Sequence, residues 1–220
     1  MLDARVASAW IRRMSIKALG DIEGEGAGVA TWLPVPDPAA LASAVISPRA
    51  GPCIQAVVMG VSGCGKSAVA QRMALQLALP LIEGDDFHPA SNIFKMQQGT
   101  ALTDDDRAQW LRTLGNELAR HPQGVVLTCS ALKAAYRSTL RAAAPRLLFV
   151  HLAITQAESL RRVGNRPGHF YPPSLVASQF EALQDPAGEY GVLNLAADAS
   201  PDELAHTAAA WLTAFEFNPL

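Results

Sequence analysis

Short apolar runs alternate with segments of helical periodicity along the chain, from residue 54 to residue 212. The runs are rich in Val, Leu and Ile and are continuous, which is typical of parallel strands that are buried on both faces. They predict strands at residues 54–59, 81–83, 125–129 and 147–152, with a weaker fifth strand at residues 192–195. The hydrophobic pattern therefore indicates a buried parallel sheet.

The segments between these runs repeat apolar residues every three or four positions, as amphipathic helices do. The predicted apolar faces are Val69, Met73 and Leu77; Trp110, Leu114 and Leu118; Leu132, Tyr136 and Leu140; and Val176, Phe180 and Leu183. Thr103 and Asp106 have the spacing of a helix start. We expect Trp110 and Tyr136 to pack in the core. Because strands and helices alternate, we predict an α/β protein, a single three-layer α/β/α domain with a five-stranded parallel sheet.

The composition shifts near Gly51. Residues 1–50 contain scattered Gly and Pro without a repeated element, so we predict a poorly ordered N-terminal extension there and a folded domain at residues 51–220. The basic segment at residues 6–19 has two interpretations. It is either a short targeting or membrane-surface helix, or a frayed part of the extension.

Composition narrows the classes of partner. Half of the 220 residues are hydrophobic, 17% are charged and the net charge is -2, which is typical of one globular domain without a nucleic-acid surface. No window approaches the ~18 apolar residues that span a bilayer, and the start lacks the pattern of a secretory signal. Cys53, Cys64 and Cys129 lack metal-site spacing. We therefore expect a cytoplasmic protein with reduced thiols and no membrane partner.

A glycine-rich segment follows the first predicted strand and precedes a predicted helix. It consists of Gly60, Val61, Ser62, Gly63, Cys64, Gly65, Lys66 and Ser67, and it matches G-x-x-x-x-G-K-S/T without a mismatch. Backbone N–H groups of such a loop bind the phosphates of ATP, and the helix N-terminus favours the anion. Lys66 would reach the β- and γ-phosphates, and the Ser67 hydroxyl would ligate Mg²⁺. The segment predicts a P-loop nucleotide site.

Acidic residues stand at the end of the second predicted strand, where ligands of open parallel sheets bind. Here we expect Glu83 to serve Mg²⁺ and Asp85 to accept a proton from an attacking hydroxyl. The alternative is a solvated acidic turn.

A second candidate segment, residues 161–170, follows the fourth predicted strand. Gly and Pro interrupt a helical pattern there, and arginines can neutralise charge on a transferring phosphoryl group. We predict a mobile lid over the phosphates, whereas the alternative is a basic helix end beside a loop. Together with the P-loop, these parts favour a small-molecule kinase.

At this point a resemblance becomes specific. The segments MGVSGCGKSAVA, EGDDFHP, LTDDDRAQWL, CSALKAAYR, RPGHF and SQFEALQDP, in this order, resemble the gluconokinase family of P-loop carbohydrate kinases, of the thermoresistant type. The resemblance runs from about Ile54 to Leu212. It implies ATP-dependent phosphorylation of D-gluconate to 6-phospho-D-gluconate with Mg²⁺, in gluconate catabolism that feeds the pentose phosphate or Entner–Doudoroff route. It also suggests a homodimer.

The resemblance implies roles for individual residues. Lys66, Asp85, Arg162 and Arg166 would be catalytic, and Ser67 and Glu83 would bind the metal. The residues implied to contact gluconate are Asp85, His88, Lys95, Arg107, Lys133, Arg137 and His169. Arg107 is alternatively a structural ion-pair partner of the nearby aspartates.

Some positions depart from the family pattern. Glu83 stands where relatives often have Asp, Asp185 stands where Glu is frequent, and residues 196–198 match only loosely, which leaves the adenine contacts open. Two other functions remain open from the sequence. One is a kinase for another small acceptor, such as a shikimate-type kinase, and the other is a catalytically silent nucleotide-binding regulator.

Overall fold

The computed structural model describes residues 53–165 and 171–216. The predicted extension at residues 1–50 lies outside the described residues, and so do Arg166, His169 and Phe170 of the predicted lid. The division into an extension and a folded domain therefore stays a prediction.

Five parallel strands form one sheet in the order β2-β3-β1-β4-β5. The strands are β1 (Gln55–Met59), β2 (Leu81–Glu83), β3 (Val125–Thr128), β4 (Leu148–Ala153) and β5 (Val192–Ala196). Each lies within one residue of its predicted bounds, which confirms the predicted parallel sheet. Apolar runs mark these strands well because both faces of the sheet are covered.

Seven α-helices connect the strands within the described residues. They are α1 (Lys66–Leu77), α2 (Ala90–Gln97), α3 (Asp104–Arg120), α4 (Ala134–Ala143), α5 (Gln156–Gly164), α6 (Val176–Ala182) and α7 (Pro201–Ala214). Single 3₁₀ turns lie at Gly84–Phe87 and Pro173–Leu175. Among these helices, none is long and apolar enough to cross a membrane.

The two largest of three buried apolar clusters lie on opposite faces of the sheet. On one face, α1 packs beside α7 and buries Val69 and Met73. On the other face, α3 packs beside α4 and buries Trp110, Leu114 and Leu118. The three-layer α/β/α arrangement is confirmed, and Trp110 packs in the core as predicted, with 2% of its surface exposed.

Two predicted helix ends differ from the structure. Leu132 is buried but precedes α4, and Leu183 follows α6. The chain before α4 takes a left-handed turn at Ala131 (φ 45°), which ends any helical path there. The predicted start of α3 is confirmed, because the Thr103 hydroxyl accepts from the Asp106 N–H and the Asp106 carboxylate accepts from the Thr103 N–H.

The end of β2 approaches β3 so closely that only glycine fits at position 84. A Cβ on Gly84 would lie 2.1 Å from the Thr128 carbonyl oxygen. The Gly84 N–H donates to the Thr128 hydroxyl at 3.1 Å, and the Gly84 carbonyl accepts from the indole N–H of Trp110 at 2.8 Å. This contact sets where Glu83 and Asp85, on either side of Gly84, can lie.

We expect Gly84→Ala to lower the free energy of unfolding by about 1–3 kcal/mol or more, because the added methyl group would collide with the rigid backbone of Thr128. Urea unfolding followed by circular dichroism measures this change. Gly164→Ala is the matched control, since a Cβ at Gly164 in α5 meets nothing within 4 Å. The control should be neutral or slightly stabilising, because alanine favours helix more than glycine does. Equal stability of wild type and Gly84→Ala would contradict the close contact.

Candidate active site

The glycine-rich segment forms a compact loop between the central strand β1 and helix α1. Its glycines at positions 60, 63 and 65 have φ values of 138°, 78° and 101°, in the range that favours glycine. At Gly60, a Cβ would also lie 2.8 Å from the Leu152 carbonyl oxygen. The backbone N–H groups of the loop thus lie next to the N-terminus of α1. Together they form an arrangement that binds phosphate.

Lys66 folds back over this loop. Its ammonium donates to the carbonyl oxygens of Gly60 and Val61, both at 3.1 Å. The neighbouring thiol of Cys64 is buried, and burial raises its pKa, so it stays protonated. The charge that the loop presents is therefore that of Lys66.

Three adjoining cavities follow the carboxyl edge of the sheet. We name them the base, phosphate and acceptor cavities, after the parts of a kinase's two substrates that each would hold. The base cavity is lined by Ala153, Ile154, Thr155, Ala196, Ala197 and Asp198, together with Glu158 and Arg162. The phosphate cavity is lined mainly by Gly63, Gly65, Lys66, Ser67, Arg162 and Val163. The acceptor cavity is lined by Asp85, His88, Arg107, Trp110, Ser130 and Gln179, among others.

Shared residues join these cavities. Arg162 lines both the base cavity and the phosphate cavity. Ser62, Lys66, Asp85 and Tyr171 line both the phosphate cavity and the acceptor cavity. A nucleotide and a second small molecule can therefore meet between Lys66 and Asp85.

Glu83 lies on the phosphate side of this junction. Its Oε2 atom accepts from the Ser67 hydroxyl at 3.1 Å and from the Thr128 hydroxyl at 2.6 Å. Carboxylate and hydroxyl oxygens are ligands that suit Mg²⁺, which usually binds through one or two side chains plus substrate phosphates. The residues present at Glu83 and Ser67 therefore fit this ion.

Asp85 and Asp86 follow on the same 3₁₀ turn but face different surroundings. Both side chains are exposed, but Asp85 lines both the phosphate cavity and the acceptor cavity, whereas Asp86 lines none of the three. The alternative of a solvated acidic turn therefore fits Asp86, whereas the role assigned to Asp85 stays a prediction.

His88 presents an uncharged imidazole to the acceptor cavity. Its ring stacks on Trp110 with centroids 4.2 Å apart. Burial lowers the pKa of His88 to about 4; Arg107 also lowers it and Asp85 opposes the shift. The Nδ1 atom is buried and has no hydrogen-bond partner in the described part of the chain.

The two predicted lysines lie outside the acceptor cavity. Lys95 pairs with Asp106 at 2.6 Å, and Lys133 donates to both carboxylate oxygens of Asp104 at 2.6 and 2.8 Å. Neither lysine lines the cavity. In this structure they hold the first turn of α3 and are not brought together with Asp85.

Arg107 does line the acceptor cavity. Its guanidinium donates to the carbonyl oxygens of Leu102 and Thr103, and among the described residues it forms no ion pair. The ion-pair role that the sequence left open is thus not observed among the described residues, and the contact with an acceptor stays a prediction.

Arg137 is placed differently from the prediction. Its side chain is completely buried and pairs with Glu189. All five N–H donors of its guanidinium are used, by Glu189 and by the carbonyl oxygens of Ala131, Leu132 and Gln184. The predicted gluconate contact of Arg137 is therefore corrected: the residue supports the left-handed turn at Ala131, and no donor remains for a ligand.

Arg162 lies on α5 and links the nucleotide cavities to neighbouring backbone. It donates to the Glu158 carboxylate at 2.6 Å and to the Ala197 carbonyl at 2.9 Å. The other predicted lid residues, Arg166 and His169, lie outside the described residues, so their roles stay predictions.

Four hydrogen-bonding residues of the acceptor cavity received no role from the sequence: Ser130, Tyr171, Ser178 and Gln179. Ser130 follows β3 directly, and its place at the carboxyl end of a strand was a usable signal. Tyr171 and Gln179 come from segments after α5 and reach the cavity only through folding. Gln179 stands in the segment SQFEALQDP that resembles the family, which marked the segment but not its place in the cavity, and no signal marked Tyr171.

Comparison with known proteins decides the family. A family model described as an AAA domain matches residues 56–187. The gluconokinase of Gluconobacter oxydans is 42% identical over 149 residues, which are 66% of this chain and 84% of that protein. The thermoresistant gluconokinase of Escherichia coli is 42% identical over 136 residues, which are 60% of this chain and 78% of that protein. The chain belongs to the gluconokinase family.

A solved structure agrees with this placement. The crystal structure of a gluconokinase from Sinorhizobium meliloti superposes with a TM-score of 0.67 at 44% identity, and the match covers 73% of this chain and 91% of that one. The resemblance seen in the sequence motifs is thus confirmed. Within the gluconokinase family, this chain carries the P-loop, the acidic strand end and the acceptor cavity on one edge of its sheet.

The contrast between two arginines is testable. Arg137→Lys should lower the free energy of unfolding by about 3–5 kcal/mol, because it leaves buried partners of the guanidinium unpaired. Arg107→Lys should leave stability nearly unchanged, since Arg107 bonds to carbonyls at the rim of the cavity. Chemical unfolding and steady-state kinetics of both variants measure the two effects.

We expect Arg107→Lys to raise the KM for the acceptor, whereas Arg137→Lys should not raise it once activity is corrected for the folded fraction. A raised acceptor KM in folded Arg137→Lys, with normal stability, would restore Arg137 to the binding site.

Proposed function

We propose that this member of the gluconokinase family transfers the γ-phosphoryl group of ATP to D-gluconate and releases ADP and 6-phospho-D-gluconate. The observation that carries the proposal is that Lys66 and Asp85 both line the phosphate cavity and the acceptor cavity. In-line transfer needs such a junction, where the acceptor hydroxyl faces the γ-phosphorus.

ATP would occupy the base and phosphate cavities. Backbone N–H groups of the loop after Ser62, together with the N-terminus of α1, would hold the phosphates. When ATP binds, the Lys66 ammonium would donate to phosphate oxygens in place of its carbonyl partners. Its positive charge would then lie next to the phosphoryl group on which negative charge develops during transfer. Arg162, at the boundary of the two cavities, would neutralise the phosphates from the α5 side, and we assign Arg166 a similar role.

Mg²⁺ would be held by Ser67 and, directly or through water, by Glu83. When bound, the ion would supply positive charge that neutralises part of the charge of the phosphates. Thr128 supports this side of the site, because it donates to the same carboxylate oxygen as Ser67 does. The Glu83 side chain is one methylene longer than the Asp that is frequent at this position in relatives, which favours a longer reach to the ion.

Gluconate would occupy the acceptor cavity. Lys66 and Arg107 make the cavity attractive to a carboxylate, while the neutral imidazole of His88 can exchange a hydrogen bond with a hydroxyl. Asp85 would receive the proton of the attacking hydroxyl as its oxygen bonds to the γ-phosphorus and the bond to the leaving ADP oxygen breaks. A cytoplasmic location and a homodimer are further parts of the proposal and come from the family.

We expect the purified protein to release ADP from MgATP with gluconate and not with shikimate. A coupled assay with a panel of sugar acids and shikimate measures this. Turnover with another sugar acid but not with gluconate would contradict the substrate assignment. Absence of turnover with every acceptor would favour a silent nucleotide-binding regulator.

A second prediction concerns Asp85. Asp85→Asn should lower kcat by about 10²–10⁴-fold if the carboxylate acts as general base, with little change in the KM for ATP. Asp86→Asn is the matched control, because Asp86 is exposed on the same turn and lines no cavity. A raised KM for gluconate at normal kcat would make Asp85 a binding residue only. Normal kinetics when gluconate, ATP and Mg²⁺ are each varied would place Asp85 outside the site.

A further inference from the structure

Gln179 lies in α6 and lines the acceptor cavity. It is 8% exposed and lines the cavity together with Lys66, Asp85 and His88. Neither the P-loop motif nor the predicted lid includes it. A buried carboxamide at such a place needs partners for its oxygen and for its NH₂ group.

The oxygen already has a partner. Gln179 Oε1 accepts from the backbone N–H of Ser62 at 2.6 Å. Because a backbone N–H can only donate, the atom that faces it must be the carboxamide oxygen. The orientation of the carboxamide is therefore settled, and its NH₂ group is directed away from Ser62.

The NH₂ group remains available. Within residues 53–165 and 171–216, Nε2 of Gln179 donates to no protein atom. It is also absent from the polar atoms that are sealed from solvent without a partner, among which His88 Nδ1 is found. The group thus offers two N–H donors to a molecule in the acceptor cavity.

The backbone of Ser62 is also held at its carbonyl group. The Ser159 hydroxyl, on α5, donates to the Ser62 carbonyl at 2.7 Å. Ser62 itself lines both the phosphate cavity and the acceptor cavity. Its N–H is used by Gln179, so the phosphates must be bound by later N–H groups of the loop.

We propose that Gln179 binds the acceptor through its NH₂ group while its carbonyl oxygen holds the phosphate loop at Ser62. The ligand atoms would be the carboxylate or hydroxyl oxygens of a polyhydroxylated acid, since both accept hydrogen bonds. One side chain then contacts the acceptor and the loop that binds ATP, so it ties the position of one substrate to that of the other. This inference rests on the proposed function and adds a binding residue to it.

Gln179→Glu separates the two halves of the proposal. A glutamate oxygen can still accept from the Ser62 N–H, but both N–H donors are lost and a negative charge faces an anionic acceptor. We expect the KM for gluconate to rise at least about 10-fold, in line with the loss of a hydrogen bond to a charged group. The KM for ATP should change by no more than about twofold, because the loop keeps its anchor.

Gln184→Glu is the matched control. Gln184 Oε1 accepts from the backbone N–H of Ala134 at 2.7 Å, but the residue is exposed and lines none of the three cavities. The Gln184→Glu variant makes the same chemical change at the same kind of hydrogen bond. Its KM values for gluconate and ATP should stay at the wild-type level. If Gln179→Glu does not fold, Gln179→Met replaces it, with an expected rise in both KM values because anchor and donors are lost together.

An unchanged KM for gluconate in folded Gln179→Glu would overturn the inference while the proposed function stands. A wild-type protein that phosphorylates a different acid would instead overturn the proposed substrate, and the variants would then be compared with that acid. If wild type phosphorylates no acceptor, the proposed function and this inference both fail.

Discussion

The close approach of β2 to β3 at Gly84 is the constraint on which the site depends. The absence of a side chain lets the Gly84 backbone bond to Thr128 and to the Trp110 indole at once. Glu83 is thereby directed to Ser67 at the phosphate side, and Asp85 reaches the junction of the phosphate and acceptor cavities. The ring of Trp110, fixed by the same contact, supports His88. One backbone contact thus orients groups for both substrates.

Charge is distributed in a way that suits an anionic acceptor. Lys95 and Lys133 are neutralised by Asp106 and Asp104 at the start of α3, so their charge does not reach the cavity. Lys66 and Arg107 remain as its cationic lining, with Asp85 at the junction. His88 stays neutral at pH 7, because burial lowers its pKa to about 4. The cavity therefore combines two cations and the Asp85 carboxylate with uncharged hydrogen-bonding groups, which suits a hydroxylated acid.

The motifs that identify the gluconokinase family include residues of two kinds. Some, such as Asp85 and Arg107, face the acceptor cavity. Arg137 belongs to an equally specific motif. All of its guanidinium N–H groups, however, donate to backbone carbonyls near Ala131 and Gln184 or to the Glu189 carboxylate. A buried arginine of this kind stabilises the backbone near the site without contacting a ligand. Membership of a motif and contact with substrate are thus separate properties, which only the position of each side chain distinguishes.

The sequence by itself determined the five-stranded parallel sheet, the P-loop and the acidic strand end. These features are local: continuous apolar runs, glycines at fixed spacing and residues directly after a strand carry them within a few positions. Tertiary structure decided which polar residues share a cavity. Gln179 lies 117 residues from Ser62 in the chain and bonds to it, whereas Lys95 and Lys133 turn to α3. The physical reason is that such contacts depend on how distant helices pack against the sheet, and local spacing carries no information about that packing.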